Sequence, residues 1–393
     1  MRILYYMQAI KYGKGKYSMI YHDFGKTGFR ISALGFGAMR LPIPENADRE
    51  ATADLGDAVE LLRHGIRSGI NYIDTAYFYC NGRSELAVGL ALEDGWRDRV
   101  ALSTKLPVGD VKKPDDARRI LEDQLRKLRT DHIDFYHFHG IGRDAFDNII
   151  RPLKLIELME KCKDEGLIRH LSFSFHDPNP HTMIELLDTG AFSSVLCQYN
   201  LLDRSNLAGI RHARELGVGV VVMGPVGGGR LAFKGGVFED ALGGRLSTPE
   251  LAVRFVLSTP GVCCALSGMG DAGMVDGNVR VASSDTRLTE AELAAVDRVA
   301  ADCDKLKSLY CTGCNYCTPV CPAKVNIPRC FEALIYDRVY NLARTAEQRY
   351  RAIPGNDKER NASACVGCGA CEKKCPQHIP IRQRLRECVE RFR

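Results

Sequence analysis

The sequence lacks a long hydrophobic run. No stretch of about 18 or more apolar residues occurs in the 393-residue chain, so the sequence predicts no membrane-spanning helix. The first 18 residues also lack the apolar core and the small-residue cleavage site of a signal peptide, which argues against secretion. We therefore expect a cytoplasmic protein that has no membrane partner.

Cysteine, in contrast, is abundant and unevenly placed. Of the 16 cysteines, all but Cys80, Cys162, Cys197, Cys263 and Cys264 lie after residue 300. A disulfide framework is typical of small secreted chains, whereas this chain is large and has no export signal. The cysteines therefore indicate a metal centre.

Two cysteine motifs share one spacing. The segments CTGCNYCTPVCP and CVGCGACEKKCP both fit C-x2-C-x2-C-x3-C-P, which is typical of 4Fe–4S cluster sites. In ferredoxins with two clusters, the fourth cysteine of each motif ligates the other cluster. We therefore assign the first cluster to Cys311, Cys314, Cys317 and Cys375, and the second cluster to Cys365, Cys368, Cys371 and Cys321. Zinc is the alternative, although zinc sites rarely use four closely spaced cysteines twice.

Charge follows the same division of the chain. Residues 303–393 carry 17 basic and 9 acidic side chains, although the whole chain has a net charge of only +5. A basic tail can bind nucleic acid. Two 4Fe–4S clusters with their thiolates, each carrying about −2, would offset half of this excess. We therefore expect two clusters and no nucleic-acid partner.

Residues 32–299 repeat one unit, in which an apolar run is followed by a loop and a helical pattern. The apolar runs span residues 33–39, 71–76, 99–105, 133–139, 168–175, 194–200, 217–224 and 262–269. Nearly continuous apolar strands are typical of a parallel sheet that helices cover on both faces. Eight such units in about 270 residues predict an α/β fold, the (β/α)8 TIM barrel. A hairpin predicted over residues 21–32 is expected to plug the barrel floor.

The pattern changes after residue 300. Residues 303–393 contain no strand-like run, and they include a long helical segment over 331–352 and a closing helix over 383–392. We therefore predict an N-terminal extension (1–18), a barrel (19–300) and a small, mainly α-helical ferredoxin-like domain with two clusters (301–393).

Polar residues at the ends of three predicted strands carry a family resemblance. NYIDTAYFY, LSTK and DFYHFHG place Asp74, Tyr79, Lys105 and His139 at one mouth. In this order and at these strand ends, the four residues resemble the catalytic tetrad of the aldo/keto reductases. Residues 301–393 resemble the α-helical ferredoxin domains of electron-transfer subunits, and aldo/keto reductases with such a C-terminal domain form a known subgroup.

The resemblance implies reduction of a carbonyl by a nicotinamide cofactor. Tyr79 would supply the proton, Lys105 would stabilise the phenolate, Asp74 would hold Lys105, and His139 would orient the carbonyl oxygen. Because His137 alternates with His139 in the strand, we expect its side chain to point towards the helix layer.

The positions that the resemblance assigns to the cofactor match the family only in part. Positions that match the family's nicotinamide and adenosine sites, and a glycine-rich loop for the pyrophosphate, give the candidates Ser174, Gln198, Asn200, Arg230, Gly268 and Asn278. Two departures leave NADPH and NADH both open. Met269, Asp271 and Met274 stand where NADPH-dependent members generally have basic side chains, and Met223 stands where a ring often stacks on the nicotinamide.

Two functions therefore compete. The first is an anaerobic oxidoreductase that interconverts a small carbonyl and an alcohol, with clusters that exchange electrons with a ferredoxin or another redox partner. The second is an electron-transfer or redox-sensing adaptor, in which the barrel binds nucleotide with little turnover.

Overall fold

The computed structural model describes residues 18–44, 52–283, 287–308, 317–356, 359–375 and 379–393. The chain divides into two compact units. The first contains the described part of Met1–Gly227 together with Ala252–Arg287, and the second contains Gly228–Leu251 together with the described part of Leu288–Arg393. None of the described helices is long and apolar enough to cross a membrane.

The first unit is built around a closed barrel of eight parallel strands, which confirms the predicted fold class. The strands of the barrel are β3 (Leu34–Gly37), β4 (Tyr72–Asp74), β5 (Ala101–Leu106), β6 (Ile133–Ile141), β7 (Ile168–Phe175), β8 (Ser194–Gln198), β9 (Gly219–Met223) and β10 (Cys264–Gly268). Each strand pairs with the next in sequence, and β10 closes the barrel on β3. Each of the eight predicted apolar runs overlaps one of these strands, and six of the runs contain the whole strand.

A two-stranded hairpin precedes the barrel, as predicted. Its antiparallel strands are β1 (Tyr21–Asp23) and β2 (Arg30–Ser32). Phe24 is fully buried, and its ring centre lies 4.8 Å from that of Phe135. Phe24 and Ile31 share a core cluster with Tyr72 and Ala101, the first residues of β4 and β5. The hairpin therefore closes the N-terminal end of the barrel and leaves the other end for chemistry.

Helices alternate with the barrel strands. In chain order, the described helices are α1 (Gly56–Arg67), α2 (Ser84–Ala91), α3 (Pro114–Leu128), α4 (Arg143–Ala145), α5 (Leu155–Asp164), α6 (His181–Leu187), α7 (Leu207–Leu216), α8 (Val237–Ala241), α9 (Thr248–Ser258), α10 (Ala272–Ala282), α11 (Glu290–Ser308), α12 (Ile327–Arg338), α13 (Ala343–Arg351), α14 (Ala370–Lys374) and α15 (Ile381–Arg391).

Helix α3 shows why these segments become helices. Pro114 occupies its first turn, where the missing N–H costs no hydrogen bond. The Asp116 carboxylate accepts the backbone N–H of Lys113 at 3.1 Å. Ile120, Leu121 and other apolar residues at helical spacing form the buried face.

The second unit is mainly helical. Within its described residues, strand pairing is limited to an isolated bridge between Val325 and Arg360. The predicted helical segment over 331–352 is two helices, α12 and α13. The helical conformation is interrupted between them. Asn341, in the connecting segment, has a left-handed φ of +51°, which a right-handed helix does not contain. The closing helix α15 agrees with the prediction within two residues.

Candidate active site and cluster cavity

The candidate active site lies where β4, β5 and β6 end. Asp74 is the last residue of β4, while Lys105 and His139 lie near the ends of β5 and β6. Tyr79 follows β4 in a short 3-10 turn, Tyr79–Gly82. Because parallel neighbours present their carboxyl ends at one rim, four residues far apart in sequence reach one place.

Lys105 and Asp74 form a buried ion pair. Each side chain is only 1% exposed, and Lys105 Nζ lies 2.6 Å from Asp74 Oδ1. Nζ also donates to the Thr75 carbonyl at 2.7 Å, and Ser103 Oγ donates to Asp74 Oδ2 at 2.8 Å. Burial by itself lowers the pKa of Lys105, but the adjacent Asp74 carboxylate and Tyr79 outweigh it and raise that pKa. The ammonium therefore stays charged although it is buried.

Tyr79 lies beside this charge. Lys105 Nζ is 4.7 Å from the centre of the Tyr79 ring, and the Tyr79 and His139 rings meet edge to face at 6.0 Å. The turn is tight because Cys80 and Asn81, the next two residues, have φ values of +51° and +57°. This left-handed pair directs the chain from the strand end into α2 and leaves Tyr79 half-buried at the mouth.

His139 is neutral in this site. Burial, and next the positive charge of Lys105, lower its pKa to about 4. At neutral pH the imidazole therefore carries one N–H donor and one acceptor nitrogen. A neutral donor can polarise an oxygen without protonating it.

The expectation for His137 is wrong. The His137 side chain is fully buried, and Nε2 lies 3.4 Å from the hydroxyl of Tyr72, a residue of the barrel core. Residues two apart in a strand share a face, so His137 points into the barrel as His139 does. Burial, followed by the charge of Lys105, lowers the pKa of His137 to about 3.

The sequence patterns did not predict a buried polar network on the other face of β5. Gln124 Nε2 donates to the Lys105 carbonyl at 3.0 Å and to Glu85 Oε1 at 2.6 Å. Thr104 Oγ1 also donates to Glu85 Oε1 at 2.8 Å, and the Tyr136 hydroxyl donates to Gln124 Oε1 at 2.8 Å. The network ties α2 and α3 to the strand that carries Lys105. A polar residue within a helical pattern gives no local signal of such a contact.

The nucleotide candidates occupy several strand ends. Ser174 Oγ is buried and accepts the Gly140 N–H at 2.7 Å, and Gln198 Nε2 donates to Asp203 Oδ2 at 2.9 Å. The Asn200 amide already has partners within the protein, because Oδ1 accepts the N–H of Leu202 in the same loop at 2.9 Å and Nδ2 donates to the Gly224 carbonyl after β9 at 3.1 Å.

The remaining nucleotide candidates divide between the two units. Gly268 ends β10, and Asn278 in α10 donates to Ser267 Oγ at 3.1 Å. Arg230 belongs to the second unit, where its guanidinium donates to the Tyr336 hydroxyl at 2.9 Å. Asp271 serves as the N-cap of α10 and accepts the Met274 N–H.

One cavity in the second unit brings together thiols from both cysteine motifs. It is lined by Cys321, Cys365, Cys368 and Cys371, together with Pro322, Ile327 and Leu385 and the Arg382 side chain. Cys321 Sγ accepts the Val325 N–H at 3.3 Å. Four thiols in an apolar pocket, with an N–H donor to sulfur, fit the ligand set of an iron–sulfur cluster. Among the described residues, no group of His, Cys, Asp or Glu side chains suits a single metal ion.

Two of the four cysteines of the other predicted cluster belong to the described residues. Cys317 and Cys375 are described, and Cys317 is buried. Cys311 and Cys314 lie outside the described residues.

Two family models match the chain. The aldo/keto reductase family matches residues 33–237, and a 4Fe-4S dicluster domain matches residues 310–379. The first match covers the barrel strands from β3 to β9, including all four residues of the candidate active site. The second covers both cysteine motifs.

Several oxidoreductases and solved aldo-keto reductase structures are similar to about 70% of the chain. An uncharacterized oxidoreductase of Bacillus subtilis, YqkF, is 30% identical over an alignment of 305 residues, and the match covers 69% of this chain and 94% of the relative. An aldo-keto reductase from Bacillus halodurans, in its holo form, is 28% identical with a TM-score of 0.60, covering 72% of this chain and 96% of that one. An aldo/keto reductase from Klebsiella pneumoniae, solved with NADP and acetate, is 28% identical with a TM-score of 0.59, covering 70% and 94%.

Proposed function

Since this chain belongs to the aldo/keto reductase family, a family of oxidoreductases, and carries a 4Fe-4S dicluster domain, we propose that it interconverts a carbonyl and an alcohol with a nicotinamide cofactor. The cysteines of the dicluster domain would hold 4Fe–4S clusters, which would supply one-electron exchange with a redox partner. The ion pair of Lys105 and Asp74 beside the Tyr79 ring is the observation that carries the proposal.

The reaction needs a proton at the carbonyl oxygen while hydride reaches the carbon. Tyr79 donates this proton as a general acid. The ammonium of Lys105 stabilises the phenolate that remains, because a buried positive charge acts strongly on a nearby anion. In the reverse direction, the same phenolate accepts the alcohol proton. Asp74 acts as a positioning residue, since its carboxylate holds Nζ at 2.6 Å.

His139 completes the oxygen site. As a neutral imidazole with a pKa of about 4, it donates an N–H to the substrate oxygen and orients it towards Tyr79. The edge-to-face contact of the two rings at 6.0 Å supports an arrangement in which both side chains face one oxygen.

The side chains at the ends of β7 and β8 fit a nicotinamide. Ser174 and Gln198 lie near the ends of paired strands, and a hydroxyl and an amide are suitable partners for a carboxamide. The bound cofactor would supply the hydride, while these residues bind and orient its ring. The structures from Klebsiella pneumoniae with NADP and with NADPH support a nicotinamide of this type.

The cavity formed by Cys321, Cys365, Cys368 and Cys371 fits one 4Fe–4S cluster, and we propose a second cluster on Cys311, Cys314, Cys317 and Cys375. A cluster exchanges one electron at a time, whereas a hydride carries two. Two cluster turnovers therefore match one hydride equivalent. Iron and sulfide analysis of the reconstituted protein should find two clusters per chain.

The active-site proposal is tested with Tyr79→Phe. Protein with reconstituted clusters is assayed without oxygen, with NADPH and separately with NADH, against a panel of small aldehydes and ketones. Loss of the proton donor should reduce turnover by about 10²- to 10⁴-fold, since this is the usual contribution of general acid catalysis. Nucleotide binding should persist, because Tyr79 does not anchor the cofactor.

Tyr77→Phe provides the matched control. Tyr77 lies two residues away in the same segment, but its ring is covered by Lys127 Nζ at 4.2 Å and not by Lys105. It should retain wild-type turnover. Full carbonyl reduction by Tyr79→Phe would show that another group supplies the proton.

A second candidate function is the electron-transfer or redox-sensing adaptor. It is favoured by the departures from the family at the nucleotide site, where Asp271 caps α10 through the Met274 N–H at a position that is generally basic in NADPH-dependent members. This function requires nucleotide binding with negligible turnover across the panel. The same anoxic assay therefore decides between the two functions.

A further inference from the structure

The cavity lined by Cys321, Cys365, Cys368 and Cys371 has an exposed edge. Cys368 is the one exposed cysteine among the described thiols, whereas its neighbour Cys371 is buried. Val366 and Gly367, which separate Cys365 from Cys368, are exposed as well. Electron transfer between proteins weakens steeply with distance, so a partner must approach a cluster where its ligands reach the surface.

The centre of this edge is apolar. Val366 is 69% exposed, the highest value among the large hydrophobic side chains of the described residues. Gly367 has a φ of +71°, and a Cβ at its position would meet nothing within 4 Å. The space around Gly367 is therefore open, although Val366 also lines the cluster cavity. An exposed apolar centre with a polar rim is typical of a protein–protein interface.

The rim of the edge is basic. Lys373 and Lys374 follow Cys371 on α14 and are exposed. In the part of the chain that the structure describes, no carboxylate pairs with either lysine, whereas the nearby Glu372 is already bound by Arg382 at 2.8 Å. Arg382 itself lines the cluster cavity. The net charge around the edge is therefore positive on the protein side.

The positive charge of the rim indicates what kind of partner would bind. A basic rim attracts an acidic protein and steers its association, and it also offsets the repulsion between that protein and the negative cluster. An apolar patch as small as a single valine suits a transient encounter rather than a stable complex. We propose that the edge formed by Val366, Gly367, Cys368, Lys373 and Lys374, named here the Val366 edge, is the docking surface for a small acidic one-electron carrier protein.

The proposal rests on the cluster assignment of the proposed function and names the partner of that cluster. In the transfer step, the reduced cluster loses one electron and returns to its oxidised state. The carrier gains that electron, and no bond within the protein forms or breaks. Where the carrier is a flavoprotein, a proton from solvent joins the flavin as the semiquinone forms.

The test uses an acidic flavodoxin as the probe, because its semiquinone absorbs where the clusters do not dominate. The full chain, with both clusters reconstituted, is reduced with dithionite, freed of excess reductant and mixed with oxidised flavodoxin in an anoxic stopped-flow instrument. The second-order rate should fall as salt is added, since attraction between opposite charges is screened.

Lys373→Glu with Lys374→Glu should lower this rate by about tenfold or more at low salt, the usual scale of electrostatic steering. The matched control is Lys161→Glu with Lys163→Glu on α5, two exposed lysines whose reversal changes the net charge equally. The control should keep the wild-type rate within about twofold. If both double variants slowed the reaction equally, the net charge of the protein would explain the effect, and the Val366 edge would not be the docking surface.

A second variant tests the edge without changing any residue of α14. Val366→Glu leaves the lysines in place but introduces a negative charge at the centre of the edge, and it should also slow the reaction. Iron and sulfide content and the electron paramagnetic resonance spectrum are measured first for every variant. A wild-type rate for Val366→Glu with intact clusters would overturn the proposal. Absence of clusters in the wild-type protein would instead contradict the proposed function itself.

Discussion

Replacing Lys105 by Met separates the structural and catalytic parts of the buried ion pair. The charges of Lys105 and Asp74 are 2.6 Å apart, and both side chains are 1% exposed. At an effective dielectric constant of about 20, their attraction is about 6 kcal/mol. In Lys105→Met, the Asp74 carboxylate stays buried, with Ser103 Oγ as its remaining side-chain donor. We expect the free energy of unfolding to fall by about 3–5 kcal/mol, the usual result of breaking a buried pair.

The assay follows tryptophan fluorescence during urea unfolding of the intact protein without oxygen. Trp96 is the single tryptophan of the chain and belongs to the barrel unit, so its signal reports that unit. Lys105→Met combined with Asp74→Asn should recover much of the loss, because no unpaired charge then remains. Turnover should not recover, since the cation beside Tyr79 is still absent.

An exposed pair supplies the control. Lys163 Nζ lies 3.2 Å from Glu160 Oε2, and both side chains are more than 40% exposed. Lys163→Met should cost less than about 1 kcal/mol. A loss below about 1 kcal/mol in Lys105→Met, or a double variant as unstable as the single one, would refute the account of the ion pair.

Three further predictions concern His137, Gly89 and Arg382. The pKa of His137, lowered to about 3 by burial and by Lys105, lies below its unfolded value of about 6.5, so its contribution to stability is complete above pH 6.5 and is lost as the pH falls towards 3. When the pH is lowered from 7.5 to 5, the free energy of unfolding should fall by about 2 kcal/mol more in the wild type than in His137→Gln, as measured by Trp96 fluorescence in urea unfolding at each pH. An equal fall in both proteins would contradict this prediction. Gly89→Ala should destabilise the barrel although Ala favours helices, because a Cβ at Gly89 would lie 2.3 Å from the Lys127 carbonyl oxygen; a stability equal to that of wild type in the same unfolding assay would show that α3 can move away. Arg382→Gln should make the midpoint potential of one cluster more negative in an anoxic titration followed by electron paramagnetic resonance, since a cation that lines the cavity favours the reduced cluster, and unchanged potentials would remove Arg382 from this role.

Local patterns in the sequence determined a large part of this protein. The spacing of the apolar runs predicts all eight barrel strands, because a barrel strand faces the helix layer on one side and the packed barrel interior on the other and is therefore apolar almost throughout. The hairpin over residues 21–32 follows from the same kind of local pattern. The spacing of the cysteines identifies iron–sulfur chemistry, and the order of polar residues at strand ends identifies the family, since both signals lie in short segments.

The tertiary structure decided whatever depends on residues that are distant in the chain. The 2.6 Å contact of Lys105 with Asp74 exists because β4 and β5 pair in one register, and Gln124 reaches the Lys105 carbonyl only because α3 packs on that strand. The direction of His137 follows from the barrel interior that surrounds it. Periodicity along the chain records which face of an element is buried. It does not record which distant group that face meets, and this is why the exposed Val366 edge became visible only in the folded protein.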